Sequence, residues 1–414
     1  MGDGMDRVLD IGIIGTGARG IGCFGTLIGR RTDARVAALA DTNPVRLAVA
    51  AGRLSLEVAR YTDAGEMLTR ERLDAVIVTT PDRFHATDVI AALRAGVSHV
   101  LVDKPLATTA QDCLRVAQAA RETGGHVAIG FNLRHLPLAR KIKEIIQDGL
   151  IGDLMLIQNQ EFYDGGRTYM ARWNRRREWS GGLWIHKGSH DFDIFNWWNS
   201  RGTPMRVGAF AGVNALRPDE IPFAVTPDTP VGPYCGVCAY AAICPDRVTD
   251  TGGGLFDDAA AQADGYRKDL CVFLSDKDTH DNGIALVEYD NNVRASHSEC
   301  FICNFDDRRY TIVGDRGLLM ASVASPDRIE LRPRWGQDQI IAVPPAGEGM
   351  HGGADPLLLE DFLSSIRGGT PPASTLRDGA RAVAVGEAAE ISWREHRLVN
   401  VGELADLSDP ALDV

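Results

Sequence analysis

Hydrophobic positions in the first 130 residues fall in short continuous runs rather than in alternation: "VLDIGIIG" (8–15), "RVAALAD" (35–41), "DAVIVTTP" (74–81), "HVLVDKP" (99–105) and "HVAIGFN" (126–132). Helical periods stand between them, "ATDVIAALRAGV" (86–97) and "AQDCLRVAQAARETGG" (110–125), the second stopped by glycines. Short buried strands alternating with helices predict a parallel sheet covered on both faces. After a helix over about 136–148 the pattern becomes alternating: "LMLIQNQEF", "MRVGAFAGV", "GIALVEYDNN", "VRASHSECFI", "RRYTIVGDRGLLMASV" and "RIELRPR". That predicts a large, open, mostly antiparallel sheet with helices on one face. A stretch rich in Pro, Gly and Asp from about 216 to 268 reads as a long insertion or active-site loop, and helices near 355–367 and 375–395 close the chain. The expected division is an α/β domain over 1–132 and a second α/β domain over 133–414.

Composition narrows the function class. The 414 residues are 44% hydrophobic and 24% charged, as in a soluble globular protein, with a net charge of -12 that argues against nucleic acid or an anionic membrane as partner. The N-terminal "MGDGMDRVLDIGIIG" lacks the basic end and apolar core of a signal peptide, and no apolar run approaches the ~20 residues that span a bilayer. Eight scattered cysteines suit reduced thiols, so the expected location is cytoplasmic.

"GTGARG" (15–20) follows a strand and opens a helix, the context in which Gly15, Gly17 and Gly20 fit a dinucleotide-binding turn, with Ala18 and Arg19 on the same turn. Asp41, 21 residues after Gly20, ends the second strand where an acid hydrogen-bonds the ribose of NAD and repels a 2′-phosphate. Arg19 leaves NADP open. The plainer alternative is a glycine-rich turn capping an ordinary helix.

"VLVDKPLA" sets Asp103 and Lys104 at the carboxyl end of a buried strand, where ligands bind in doubly wound sheets. Pro105 restricts Lys104 to extended geometry, and a partly desolvated lysine there is suited to polarising a hydroxyl. "SGGLWIHKGSHDFDIFNWW" (180–198) places His186, His190 and Asp193 at i, i+4 and i+7, on one face if the segment is a single helix.

These features together resemble the glucose-fructose oxidoreductase / inositol dehydrogenase / MocA family. The marks are "IGIIGTGARG" with "ALADTNP", "VTTPDRFHA" with Pro81 and His85, "DKPLA", "GFNLRHLP" (130–137) and the glycine-led segment at 180–198. The resemblance implies a Rossmann domain, a C-terminal α/β domain whose open sheet carries the substrate side, and a homo-oligomer, dimer or tetramer. It assigns Thr80, Pro81, His85, Asp103, Lys104 and Asn132 to the cofactor. Arg134 falls to the substrate, and catalysis falls to Lys104 and His190. The family commonly has an aspartate four residues before that histidine, and this chain has His186 there.

Three readings of the histidine segment follow. In the first, His190 is the general base for a carbinol proton, with His186 assisting and Lys104 polarising the same oxygen. In the second, the two histidines and Asp193 ligate a divalent metal. In the third they are structural, with Lys187 and Asp191 as an i,i+4 pair. Five of the seven tryptophans lie between Trp173 and Trp198 and suit the apolar face of a sugar ring, with Tyr163, Arg172, Trp173 and Lys187 as further substrate contacts. "CGVCAYAAICP" spaces Cys235, Cys238 and Cys244 for a structural zinc with a fourth ligand from Cys271, Cys300 or Cys303, or else they are free thiols. In "GMHGGADPLLLEDF" Asp355 reads as an N-cap and His351 as an outside candidate for the site.

The expected function is NAD(P)-dependent hydride transfer at a carbinol of a sugar, polyol or glycoside. Two alternatives stay open: redox-neutral cleavage of a glycoside with NAD kept bound, and a non-catalytic dinucleotide-binding regulator.

Overall fold

A computed structural model of the chain describes residues 7–54, 57–249, 252–347, 349, 351–368 and 370–413. Six parallel strands form the first sheet: β1 (Leu9–Ile14), β2 (Ala34–Ala40), β3 (Ala59–Tyr61), β4 (Ala75–Val78), β5 (His99–Val102) and β6 (His126–Ile129), in the order β3-β2-β1-β4-β5-β6. The apolar runs are continuous because both faces are covered, and every side chain of β4 is buried. The helix Ala110–Thr123 starts where the Thr109 side chain accepts the Asp112 N–H, and stops at Gly124 in left-handed geometry.

The second sheet has nine strands: β7 (Leu154–Phe162), β8 (Pro204–Gly212), β9 (Asn282–Tyr289), β10 (Arg294–Cys300), β11 (Asp307–Gly314), β12 (Gly317–Ser322), β13 (Ser325–Pro333), β14 (Gln339–Ala342) and β15 (Val399–Asn400). Their order is β14-β13-β12-β11-β7-β10-β9-β8-β15. All neighbours are antiparallel except β7 and β10, which run parallel with His297 opposite Asn159 and Glu299 opposite Glu161.

The helix Leu376–Glu395, begun by a Thr375–Asp378 capping box, joins the two sheets. Its Gly379 lies so close to β6 and the loop after β5 that an added Cβ would meet Ile129 Cγ1 at 3.2 Å and Leu106 Cδ2 at 2.9 Å. The helix Ala354–Ile366 covers the other face of the first sheet with Leu358, Leu359, Phe362 and Leu363. Asp355 does not cap it. Gly353 holds the cap position, and the Asp355 carboxylate turns inward.

The segment 180–198 is not one helix. A single helical turn, Leu183–His186, and a ten-residue helix, Ser189–Trp198, are divided at Lys187 and Gly188. A Cβ on Gly188 would stand 2.7 Å from the Trp184 carbonyl, so the break is a site of close backbone packing. The two histidines therefore do not share a regular helical face with Asp193.

Candidate active site

The loops leaving the carboxyl ends of the first sheet converge on one edge. After β1, Gly15 turns with φ +92°, and a Cβ there would lie 2.7 Å from the Thr79 carbonyl carbon. A Cβ on Gly20 would fall 2.1 Å from the Gly15 carbonyl oxygen, so strand and helix meet only because both residues are glycine. After β2, the Asp41 carboxylate accepts from the Thr16 N–H (2.9 Å) and hydroxyl (2.8 Å), from the Asn43 N–H (2.9 Å) and from Arg46 (3.1 Å). Arg19 does not approach Asp41. Its guanidinium is held between Asp103 (3.1 Å) and Asp355 (3.0 Å), so it is not placed to meet a 2′-phosphate.

His85 directs both ring nitrogens at backbone carbonyls, Pro105 O at 2.6 Å and Thr80 O at 2.8 Å, and so ties the β4 loop to the Lys104–Pro105 step. Thr80 donates its hydroxyl to Asp88 (2.7 Å). Pro81 opens the turn Asp82–Phe84. Asn132 donates to Asp355 (2.9 Å), while its side-chain oxygen is buried without a hydrogen-bond partner.

Lys104 extends from the end of β5 and donates through Nζ to the His186 carbonyl at 2.6 Å. Burial lowers its pKa from the ordinary lysine value, against the pull of Asp82 and Asp103. His186 meets Asp82 through Nδ1 (2.6 Å) and Asn174 Nδ2 through Nε2 (3.2 Å). Because an amide nitrogen only donates, Nε2 is the acceptor, and the proton between Nδ1 and the carboxylate belongs to the pair. Burial raises Asp82 to about 7 and, with Lys104 and Lys187, holds His186 well below the usual histidine range. The rings of Trp173 (5.2 Å) and Tyr169 (5.7 Å) stand edge-on to His186.

His190 stands beside Phe131 (6.3 Å between rings), and its Nδ1 is buried without a hydrogen-bond partner. Burial and the nearby charges of Lys104, Arg308 and Lys187 keep it neutral. Lys187 does not pair with Asp191. It binds Glu161 (2.9 Å) and lies over the Tyr163 ring (4.2 Å), while Asp191 takes Arg308 (2.8 Å) and Asn159 (2.7 Å). Trp173 thus stands at His186, and Tyr163 stands at Lys187 and Tyr169. Arg172 opens the turn Trp173–Arg175.

Two other expectations change. Arg134 is interior, 2% exposed, with its guanidinium on Asp193 (2.7 Å) and Asp378 (3.0 Å), so both Arg134 and Asp193 are committed to a buried ion pair. Arg134→Ala would bury Asp193 uncompensated, and chemical denaturation is expected to show a loss of about 3–5 kcal/mol. The metal reading of His186, His190 and Asp193 finds no support: His186 is taken by Asp82 and Asn174, Asp193 by Arg134, and among the described residues the three do not form a group at metal-ligand spacing.

Among the described residues, one group has metal-ligand spacing: Glu161, Asp191 and His297, with ligand atoms within 4.8 Å of one another. Arg308 and Lys187 already contact these carboxylates, which makes the group a charge-balanced ion-pair network beneath the site. Burial opposes charge on His297, but Asp191 and Glu299 outweigh it and raise its pKa. The zinc expectation at Cys235, Cys238 and Cys244 is not met. Among the described residues, none of the three is in a disulfide and they form no group at metal-ligand spacing. Cys235 and Cys238 accept backbone N–H groups of Val248 and Gly232 at 3.4 Å. Cys235, Cys244 and Cys271 pack in an apolar cluster with Leu183, Leu216 and Phe301, which anchors the insertion.

His351 contacts Asp355 (2.7 Å) and is half-exposed near His190. The residues not foreseen are Asp82, Asn174, Tyr169, Glu161, Arg308 and Asp355. Asp82 alone had a local signal, an acid directly after Pro81 in the loop leaving β4.

Residues 9–131 match the family described as "Oxidoreductase family, NAD-binding Rossmann fold", residues 139–320 the "GFO/IDH/MocA C-terminal domain", and residues 245–401 the "Oxidoreductase family, C-terminal alpha/beta domain". The Bacillus subtilis protein YteT is 32% identical over 411 residues, spanning 91% of this chain and 94% of that protein. The chain belongs to the Gfo/Idh/MocA oxidoreductase family. An inositol 2-dehydrogenase of Saccharopolyspora erythraea is 33% identical over 191 residues, covering 46% of this chain and 53% of the relative. Among solved structures, a levoglucosan dehydrogenase in complex with NADH and levoglucosan superposes with a TM-score of 0.72 at 18% identity, over 95% of this chain and 100% of that one. The WlbA dehydrogenase of Bordetella pertussis, in complex with NADH and UDP-GlcNAcA, gives 0.71 at 20% identity over 96% and 98%. The last two likenesses concern the fold. As in the family, the first sheet is an NAD-binding Rossmann sheet, and among the described residues no helix is long and apolar enough to cross a membrane.

Proposed function

We propose that the protein is an NAD-dependent oxidoreductase acting on a ring carbinol of a sugar, polyol or glycoside. Residues 1–132 would bind the dinucleotide and residues 133–414 the substrate. The observation that carries this reading is the convergence of Lys104, at the carboxyl edge of the Rossmann sheet, with two neutral, partly buried imidazoles, His186 and His190. The names of the inositol, levoglucosan and UDP-sugar dehydrogenases among its relatives and structural neighbours agree with the substrate class.

The residues fit a dinucleotide. The glycine turn leaves a backbone cradle that side chains would fill, and the buried Asn132 oxygen is an acceptor without a partner. Bound NAD supplies the hydride acceptor. Lys104 holds the substrate oxygen and offsets charge building on it. His190 takes the hydroxyl proton, and its neutral form is available across the physiological range because burial disfavours its cation. Asp82 and Asn174 hold the His186 ring at Nδ1 and Nε2, and a substrate hydroxyl that displaces the Asn174 amide would meet Nε2 as an acceptor. Trp173 and Tyr163 supply apolar faces for the ring.

NAD is preferred over NADP because Asp41 is reinforced by Asp264, which binds the same Arg46 (2.7 Å). Asp41→Ala is expected to weaken NADH binding about tenfold or more and to narrow the preference, as read by fluorescence titration with both cofactors.

A pH profile tests Asp82. Its pKa, raised by burial to about 7, means the carboxylate loses its charge as pH falls through neutrality. Turnover should drop about tenfold per pH unit below that point, and Asp82→Asn should remove the limb. An unchanged profile in the variant would exclude Asp82 from the reaction.

A second reading is favoured by that same Asp82–His186 pair, which adds a proton-transfer group beyond the needs of hydride transfer. In it the cofactor stays bound, and transient oxidation leads to elimination of a glycosidic substituent followed by reduction. Steady-state assay of a panel of sugars, polyols and glycosides with NAD and NADP, following reduced nicotinamide and released aglycone together, separates the two. Net NADH growth supports the dehydrogenase, and aglycone without net NADH supports the redox-neutral cycle. The uncovered face of the second sheet exposes Phe210, Ile284, Leu286 and Leu398, which supports self-association as a dimer or tetramer, to be measured by light scattering.

A further inference from the structure

The insertion reaches back to the dinucleotide side of the Rossmann sheet. Leu255 is fully buried in the core built by Leu9, Phe24 and Leu47. Phe256 lies against the glycine turn, 3.7 Å from where a Gly17 Cβ would stand. The Arg46 guanidinium covers the Phe256 ring at 4.8 Å and Lys268 approaches it at 4.7 Å.

The helix Asp258–Asp264 sits on the loop that follows β2. Asn43 donates to the Ala260 carbonyl (2.8 Å) and to Asp264 (2.7 Å). Arg46 donates to Asp264 (2.7 Å), to the Leu255 carbonyl (3.1 Å) and to Asp41 (3.1 Å). Farther out, Arg53 holds the Gly252 carbonyl at 2.8 Å. At its other end Tyr266 packs edge-on to Phe256 (5.8 Å) and lies by Arg172 and Trp173, on the substrate side.

We propose that residues 252–268 are a strap that retains the dinucleotide between turnovers, with Phe256 as a wall beside the glycine turn and the Asn43–Arg46–Asp264 junction as its clasp. Asn43 is fully buried and Arg46 nearly so, which a solvated loop contact would not require. The clasp includes two of the three residues that donate to Asp41, Asn43 and Arg46, so the strap bears on the acid that reads the ribose through them. Opening the site for cofactor exit breaks these charged hydrogen bonds and exposes Leu255, so dissociation is slow. The inference rests on NAD binding at the glycine turn, and it deepens that reading by making the cofactor resident.

The test is stopped-flow release of NADH from the full-length protein, chased with excess NAD and read by nicotinamide fluorescence. Phe256→Ala removes the wall, and Asp264→Ala undoes the clasp without touching the ring. Each is expected to speed release about 10–100-fold, with far-UV circular dichroism unchanged. Should Phe256→Ala not fold, Asp264→Ala carries the same expectation. Saturable NADH binding with release within about twofold of wild type in the folded variants overturns the strap alone. No NADH binding by the wild-type protein overturns the cofactor assignment and the strap with it.

Discussion

His190→Ala is expected to lower turnover about 10²–10⁴-fold while NADH affinity stays within a factor of about three. The imidazole stands against Phe131 rather than against the glycine turn, and its buried Nδ1 has no partner within the protein. Its loss removes the proton acceptor without disturbing the dinucleotide cradle. His190→Gln, which keeps a polar group of similar length but cannot carry the proton, should lose nearly as much. Comparable loss of NADH binding in both variants would assign His190 to the cofactor instead.

Lys104→Ala is the second large effect, about 10³-fold or more in kcat/KM. Two consequences combine. The substrate oxygen loses its charged hydrogen-bond donor, and Asp82 loses the cation that favours its ionised form. The acid limb of the pH profile should therefore move up as turnover falls. Lys104→Arg keeps charge but not the compact ammonium that reaches the His186 carbonyl, and should rescue little. Full biological effect in Lys104→Ala with NADH binding intact would instead favour a non-catalytic dinucleotide sensor.

Much of this architecture is legible from local pattern. Strands β1, β2, β4, β5 and β6 announce themselves because a sheet covered on both faces needs uninterrupted apolar runs. Strands β3 and β15, of three and two residues, carry no period to read, and β14 is exposed along most of its length. The histidine segment misleads because its apolar spacing runs through Gly188 unchanged, while the break is set by how closely that glycine meets Trp184. β7 and β10 alternate as amphipathic strands, yet their inward positions Asn159, Glu161, His297 and Glu299 are polar because each finds a partner: Glu161 takes Lys187 and Arg308, Glu299 takes His280 and His297, and Asn159 bonds Asp191.

The dinucleotide turn and Lys104 are legible for the same reason as the strands, since each is fixed by its immediate neighbours. Partnerships are not. Asp82 becomes a site residue only through His186, 104 positions later. Arg134 looks like a ligand-binding arginine until Asp193 and Asp378 occupy it. Arg19 looks free for a phosphate until Asp355, 336 residues away, takes it. The insertion's hold on Asn43 and Arg46 likewise has no signature in either segment alone.

The most direct measurement is a single turnover with enzyme in excess of substrate, NAD bound, across the sugar, polyol and glycoside panel, recording the reduced-nicotinamide band in the stopped flow. The account predicts that an active substrate produces that band, in amounts stoichiometric with substrate and either persistent or transient, and that His190→Ala suppresses it. Substrate conversion with no reduced nicotinamide at any time would contradict hydride transfer at this site.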